Sequence, residues 1–196
     1  LQTALDQASA AIRDLSTYRA ALDAYAIVAV TDQKGDITYA NDRFCEISGY
    51  ARHELLGRNH RILNSRHHPK RFFVEMWRTI GKGDFWHGEV CNISKNGRLY
   101  WVDTTIIPLI GPDGRPEQFI AVRHDITERK RFEERTKLAA MVTACVADIQ
   151  SAFIEKDWKE AFDIALRKIN ALTESEYGFI GEVLRDERNA PFLRTY

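Results

Sequence analysis

An α+β fold, a five-stranded antiparallel sheet with helices on one face, is predicted by three observations in the sequence. Short β-rich runs fall in the order two, then three, with helical segments between the groups. Hairpin-type turn sequences join the last three runs. Helical segments with apolar residues seven apart flank the whole.

The first flank, residues 1–23, is rich in alanine and lacks glycine and proline, and Leu1, Ala8, Leu15 and Leu22 recur seven apart. That spacing predicts an amphipathic helix, with a coiled coil between two copies as its natural partner surface. The period then changes. Residues 26–31 and 37–40 read as strands, separated by the turn Lys34-Gly35-Asp36. Asn41 caps a short helix that stops at Gly49, and residues 51–56 supply another helical turn. Pro69 opens a stronger helix with Phe72, Phe73, Met76, Trp77 and Ile80 on one face, ended by Gly81-Lys82-Gly83. Strand candidates follow at 86–94, 99–108 and 118–125, joined by Lys95-Asn96-Gly97 and Gly111-Pro112-Asp113-Gly114. An exit helix begins near Thr127, with Phe132, Ala139, Val146 and Phe153 seven apart. A further helix is expected over 158–172 and strands over 177–184 and from Phe192. This order predicts a pocket between helices and sheet. The resulting division is a helix at 1–23, a domain at 24–130, a linker helix at 131–156, and the start of another domain at 157–196.

Composition excludes several classes. Lys plus Arg and Asp plus Glu each number 28, so no net field steers the chain to nucleic acid or an anionic membrane. No uninterrupted apolar stretch approaches the roughly 18–20 residues that cross a bilayer. Cys45, Cys91 and Cys145 are three thiols at wide spacing, which suits a reducing cytoplasm and small core residues. No nucleophile with a base, metal-ligand spacing or phosphate loop is present, so an enzyme is not expected here and any enzymatic output lies in other parts of a longer protein. The chain starts on Leu1 and ends within an apolar run, and both ends are expected to be internal to that longer protein.

Over about 105 residues, the chain resembles the PAS family with its C-terminal PAC segment. The resemblance rests on Thr31-Asp32 with Ile37-Thr38-Tyr39-Ala40-Asn41, Ser48-Gly49-Tyr50, Leu55-Leu56-Gly57, Trp86-x-Gly88, Lys95-x-Gly97 and Asp125-Ile126-Thr127-Glu128-Arg129-Lys130. Residues 172–181 resemble the opening of a GAF domain. Within PAS domains, residues 57–77 together with Trp86, Gly88, Asn92, Lys95 and Gly97 are similar to the flavin-binding redox sensors of aerotaxis and nitrogen-fixation control. That resemblance implies FAD, or alternatively FMN, in the pocket, with Asn41, Trp77, Trp86 and Asn92 at the positions of its flavin contacts. Where the aerotaxis group carries Arg-His-Pro-Asp, this chain has Asn64-Ser65-Arg66-His67, so Arg61, Arg66 or His67 is left to meet a pyrophosphate.

His60 stands where the flavin photoreceptors (LOV domains) carry their photoactive cysteine, and imidazole does not replace that nucleophile. Arg123 and Val102 stand where those receptors have amides. Thiol-adduct photochemistry is therefore not expected.

Ordinary structure explains some of these residues as well. Trp77 suits a core face, Asn41 suits a helix cap, and Trp86 fits either role. Asn92, a lone amide within Val90-Cys91-Asn92-Ile93, needs a partner if it faces inward. His60, His67 and His68 fall in what reads as a loop before Pro69, where solvated surface is expected and haem ligation is not. The expectation is a cytoplasmic homodimeric sensor that passes a flavin's redox state through its helices to a GAF-type neighbour. A cofactor-free dimerisation module is the alternative, and it predicts a pocket filled by the protein's own side chains.

Overall fold

The computed structural model describes residues 13, 16–17, 20, 22–179, 181–185, 187 and 191–195. Of the predicted first helix, residues 13, 16–17, 20 and 22–25 are helical; Leu1, Ala8 and Leu15, which carry the heptad pattern, lie outside the described residues. Two compact units, Leu1–Lys130 and Arg131–Tyr196, divide the chain.

The first unit holds β1 (Ile27–Asp32), β2 (Ile37–Ala40), α1 (Asp42–Ser48), α2 (Arg52–Leu55), a 3-10 turn at His60–Leu63, α3 (Lys70–Gly81), β3 (Trp86–Ile93), β4 (Leu99–Ile110) and β5 (Pro116–Asp125). The strands form one sheet in the order β2-β1-β5-β4-β3, antiparallel throughout. Period-2 alternation decides the inner face: Tyr100, Val102, Thr104 and Ile106 are buried along β4, and Phe119, Ala121 and Arg123 along β5. Phe44, Leu55 and Leu63, each at most 1 % exposed, close over that face beside Ile27, Ala29, Val90 and Val102. Burial of side chains this size stabilises by roughly 1.5–3 kcal/mol each.

Local chemistry fixes the helix ends. Gly49 stands at φ 70° after α1, a left-handed position that favours glycine, and its amide donates to the Cys45 carbonyl. The Glu54 carboxylate accepts from the Ala51 amide and is bonded by Lys95 Nζ at 2.6 Å, tying α2 to the β3–β4 hairpin. That pairing also holds the Glu54 carboxyl below its ordinary pKa.

The segment before Pro69 differs from the loop expected there. Asn59 Oδ1 accepts from the Arg61 amide and opens the 3-10 turn, whose Leu63 is fully buried. Beyond it, Asn64 bridges Asn92, Ser65 Oγ donates to the Cys91 carbonyl, and His68 Nε2 accepts from the Cys91 amide at 2.8 Å. The stretch therefore covers the free edge of β3.

Helix α4 (Thr127–Glu155) starts against the sheet. Its Thr127 hydroxyl accepts from the Trp101 amide, and Ile126 N–H donates to the Trp101 carbonyl. Glu89 on β3 pairs with Arg129 at 2.6 Å and Lys130 at 2.5 Å. By length and composition, α4 is long and apolar enough to cross a membrane. Its apolar run is not uninterrupted: Asp148 and polar neighbours fall within it.

The second unit contains the remainder of α4, α5 (Trp158–Thr173), and the antiparallel hairpin of β6 (Gly181–Arg185) and β7 (Pro191–Thr195). Asp157 caps α5 by accepting from the Lys159 and Glu160 amides. Phe153 and Phe162 meet edge to face at 5.2 Å. The strand expected from Tyr177 begins at Gly181 instead. A Cβ on Gly178 would fall 2.4 Å from Asn170 Oδ1, so Gly178 marks close approach to α5 and not a strand.

Candidate functional site

A cavity of about 330 Å³ lies between the inner face of the sheet and α3. Volumes from about 300 Å³ upward are typical of small-molecule sites. Val90, Ile106, Phe119 and Ala121 form its sheet side; Phe73, Met76, Trp77 and Ile80 form its helix side. These are apolar surfaces suited to the two faces of a flat ring system.

Polar groups gather at one end. Thr104 and Arg123 are opposite one another in the β4–β5 ladder, only 2 % and 5 % exposed, and Asn92 lies across the sheet on β3 at 6 %. Thr104 Oγ1 and Arg123 Nη1 are buried and have no hydrogen-bond partner among the described residues. The Tyr100 hydroxyl is likewise buried without a bond of normal geometry; burial pushes its pKa well above the ordinary range, against the opposing influence of Arg123 and the nearby Asn92 amide.

The other guanidinium nitrogen of Arg123 that makes a contact, Nη2, lies 2.7 Å from His60 Nε2. Because a guanidinium only donates, Nε2 is the acceptor and the imidazole proton sits on Nδ1. Burial, reinforced by the Arg123 charge, lowers the His60 pKa to about 3, so this ring is neutral at physiological pH. Burial lowers Arg123 only to about 10, which leaves it cationic. His60 also stacks on Phe44 with centroids 5.7 Å apart, and Arg123 lies 5.5 Å over the same Phe44 ring. The sequence expectation of three solvated histidines is thus wrong for His60, and for His68, whose Nε2 is engaged by β3.

The mouth is framed by the β1–β2 turn. Asn59 Nδ2 donates to the Lys34 carbonyl and to Asp36, and the His60 amide donates to the Gly35 carbonyl. The Asn59 Oδ1 that opens the 3-10 turn also accepts from Arg61 Nε at 2.8 Å, holding that guanidinium at the rim. Gly35 has φ 84°, and a Cβ there would lie 3.1 Å from the Trp77 ring.

Of the six residues singled out from sequence, Trp77, Asn92 and Arg61 line the cavity, whereas Asn41, Trp86 and His67 do not. Trp77 is 38 % exposed and meets Phe119 edge to face at 5.5 Å, so it stands at the rim. Asn41 is consumed by the backbone: Oδ1 accepts from the Val28 and Phe44 amides, and Nδ2 donates to the Ala26 carbonyl. The Trp86 ring folds over Gly88, where a Cβ would come within 2.8 Å of it, and packs against Phe72. His67 is exposed and touches the edge of Trp101. Thr104 was not singled out from sequence; His60 and Arg123 were matched to photoreceptor flavin positions but not taken as site residues, although the alternation Phe119-x-Ala121-x-Arg123 also turns Arg123 inward.

Residues 23–128 match the sequence profile described as PAS domain. The nitrogen fixation regulatory protein of Klebsiella pneumoniae is 34 % identical over 131 residues, covering 66 % of this chain and 26 % of that protein. The aerotaxis receptor of Escherichia coli strain K12 is 36 % identical over 104 residues, covering 53 % of this chain and 20 % of the receptor. The chain thus spans about a quarter of the curated relatives it matches. Among solved structures, an RNA-binding light-oxygen-voltage receptor superposes with TM-score 0.58 at 28 % identity, over 66 % of this chain and 38 % of that one. A PAS domain from Colwellia psychrerythraea superposes with TM-score 0.53 at 22 % identity, over 58 % and 98 %.

Proposed function

The chain belongs to the PAS domain family, and on that premise we propose that it is a sensory input module holding a flavin in the cavity between sheet and α3. The observation that carries this reading is the pair of buried, unpartnered donors, Thr104 Oγ1 and Arg123 Nη1, at one end of an otherwise apolar slot. Buried polar groups are nearly always hydrogen-bonded, and a flavin offers acceptors along one edge of a flat apolar ring. Asn92 adds an amide at the same end, Met76 would lie against a ring face with Trp77 at the rim, and Arg61, also at the rim, would meet a phosphate of FMN or FAD.

When bound, the flavin supplies a change of charge and hydrogen bonding with redox state. This chain's residues would sense that change through β4 and β5 and pass it to α4, whose first turn is anchored on Trp101 and Glu89. The names of the aerotaxis and nitrogen-fixation relatives agree with an oxygen or redox input. Thiol-adduct photochemistry is not proposed, because none of the cavity-lining residues is a cysteine. The cofactor-free alternative expects a filled core, which a cavity of about 330 Å³ with two unpaired donors disfavours. The same reading takes the module to be a cytoplasmic homodimer joined through residues 1–23, relaying to a GAF-like neighbour and to an output outside these residues.

The test is the visible absorption spectrum of the purified protein before and after dithionite. Flavin bands that bleach on reduction support the reading. A protein that stays colourless after incubation with FMN and FAD refutes it.

A further inference from the structure

We propose that Arg123 makes the cavity selective for ligands that carry negative charge at the edge facing β4 and β5, and that it thereby favours the anionic reduced form of a bound flavin. The second half rests on the flavin reading above; the first does not. Arg123 is a cation at 5 % exposure, and among the described residues no carboxylate pairs with it. Neutral His60, the Phe44 ring and the buried, protonated Tyr100 hydroxyl are its neighbours, and none of these brings a negative charge. A buried charge left without a counter-charge is destabilising, and a ligand bringing the opposite charge relieves that penalty directly. Thr104, the ladder partner of Arg123, adds a buried hydroxyl with no partner among the described residues at the same point.

Reduction of a flavin takes up two electrons, supplied in the experiment by dithionite. With one proton the ring becomes an anion; with two it stays neutral. A fixed cation beside the ring favours the one-proton product by lowering the pKa of the reduced ring, typically by about 1–3 units for an opposite charge in close range. The readout is the midpoint potential of the flavin-loaded full chain as a function of pH. Its slope is about 30 mV per pH unit for one proton per two electrons and about 60 mV for two.

For the native chain, the break between the two slopes is expected about one pH unit or more below that of free flavin in the same buffers. Arg123→Lys keeps the low break and Arg123→Gln returns it to the free-flavin value. A native break coinciding with that of free flavin overturns the redox half of the proposal. Failure to take up any flavin defeats the flavin reading alone. The charge preference is then read by calorimetry of the native chain with 2-naphthoate and 2-naphthamide, a matched planar anion and neutral amide. Carboxylate binding at least about tenfold tighter, with the preference lost in Arg123→Gln, supports selection by Arg123; equal affinities overturn it, whatever the variants do.

Discussion

Replacing His60 with glutamine should remove a specific part of the acid sensitivity of the first unit. The folded pKa of His60 is about 3 against an ordinary value of 6.5, so the unfolded chain binds a proton here that the folded chain refuses. The sign follows from the depressed value: the contribution is complete above pH 6.5 and is lost progressively as pH falls below it. Each pH unit over which that proton is bound only by the unfolded chain changes stability by about 1.36 kcal/mol. From pH 7 to pH 5 the effective interval is roughly 1.5 units, giving a loss of about 2 kcal/mol from His60 alone. Solvent reaching the half-buried ring makes this the largest value expected. Glutamine keeps an acceptor for Arg123 but does not titrate, so the His60→Gln protein should lose about 2 kcal/mol less over the same interval. Urea unfolding followed by tryptophan emission reads the difference, in a Trp158→Phe background so that Trp77, Trp86 and Trp101 report only the first unit. Identical losses in the two proteins, or a His60 proton resonance titrating near 6.5, would refute the neutral, buried assignment.

Three other outcomes are expected. Asn41→Ala removes three hydrogen bonds to buried backbone groups and should destabilise by about 2–4 kcal/mol in urea unfolding, while leaving ligand content per folded molecule unchanged. Gly88→Ala drives a methyl into the Trp86 ring, and calorimetry should show about 1–3 kcal/mol of lost stability. Glu89→Ala removes the carboxylate that pairs with Arg129 and Lys130; because these pairs are partly exposed, global stability should change by less than about 1 kcal/mol, while amide exchange in the first turn of α4 speeds up.

The sheet was legible because its signals are local. The turns Lys34-Gly35-Asp36, Lys95-Asn96-Gly97 and Gly111-Pro112-Asp113-Gly114 separate runs whose alternation sets which side chains face inward. Asn92 was legible for the same reason: an amide on the inward register has no neighbour of its own to satisfy it. His60 was not, since its environment is created by Phe44 and by Arg123, 63 residues further along the chain. The 3-10 turn carries only Asn59 and Leu63 as local marks, too few to distinguish it from an open loop. Trp86 and Asn41 sit at positions matched to cofactor contacts in the family resemblance, yet a ring over Gly88 and three backbone bonds account for them here. Position in a motif and direction of a side chain are separate facts, and only the second decides what a residue touches.

The strip from Asn64 to His68 does two jobs at once. It seals the open hydrogen-bonding edge of β3, and its first residue lines the cavity. Because the same few bonds serve both purposes, loosening this strip would open one wall of the cavity and bare an edge able to pair with a foreign strand in a single movement.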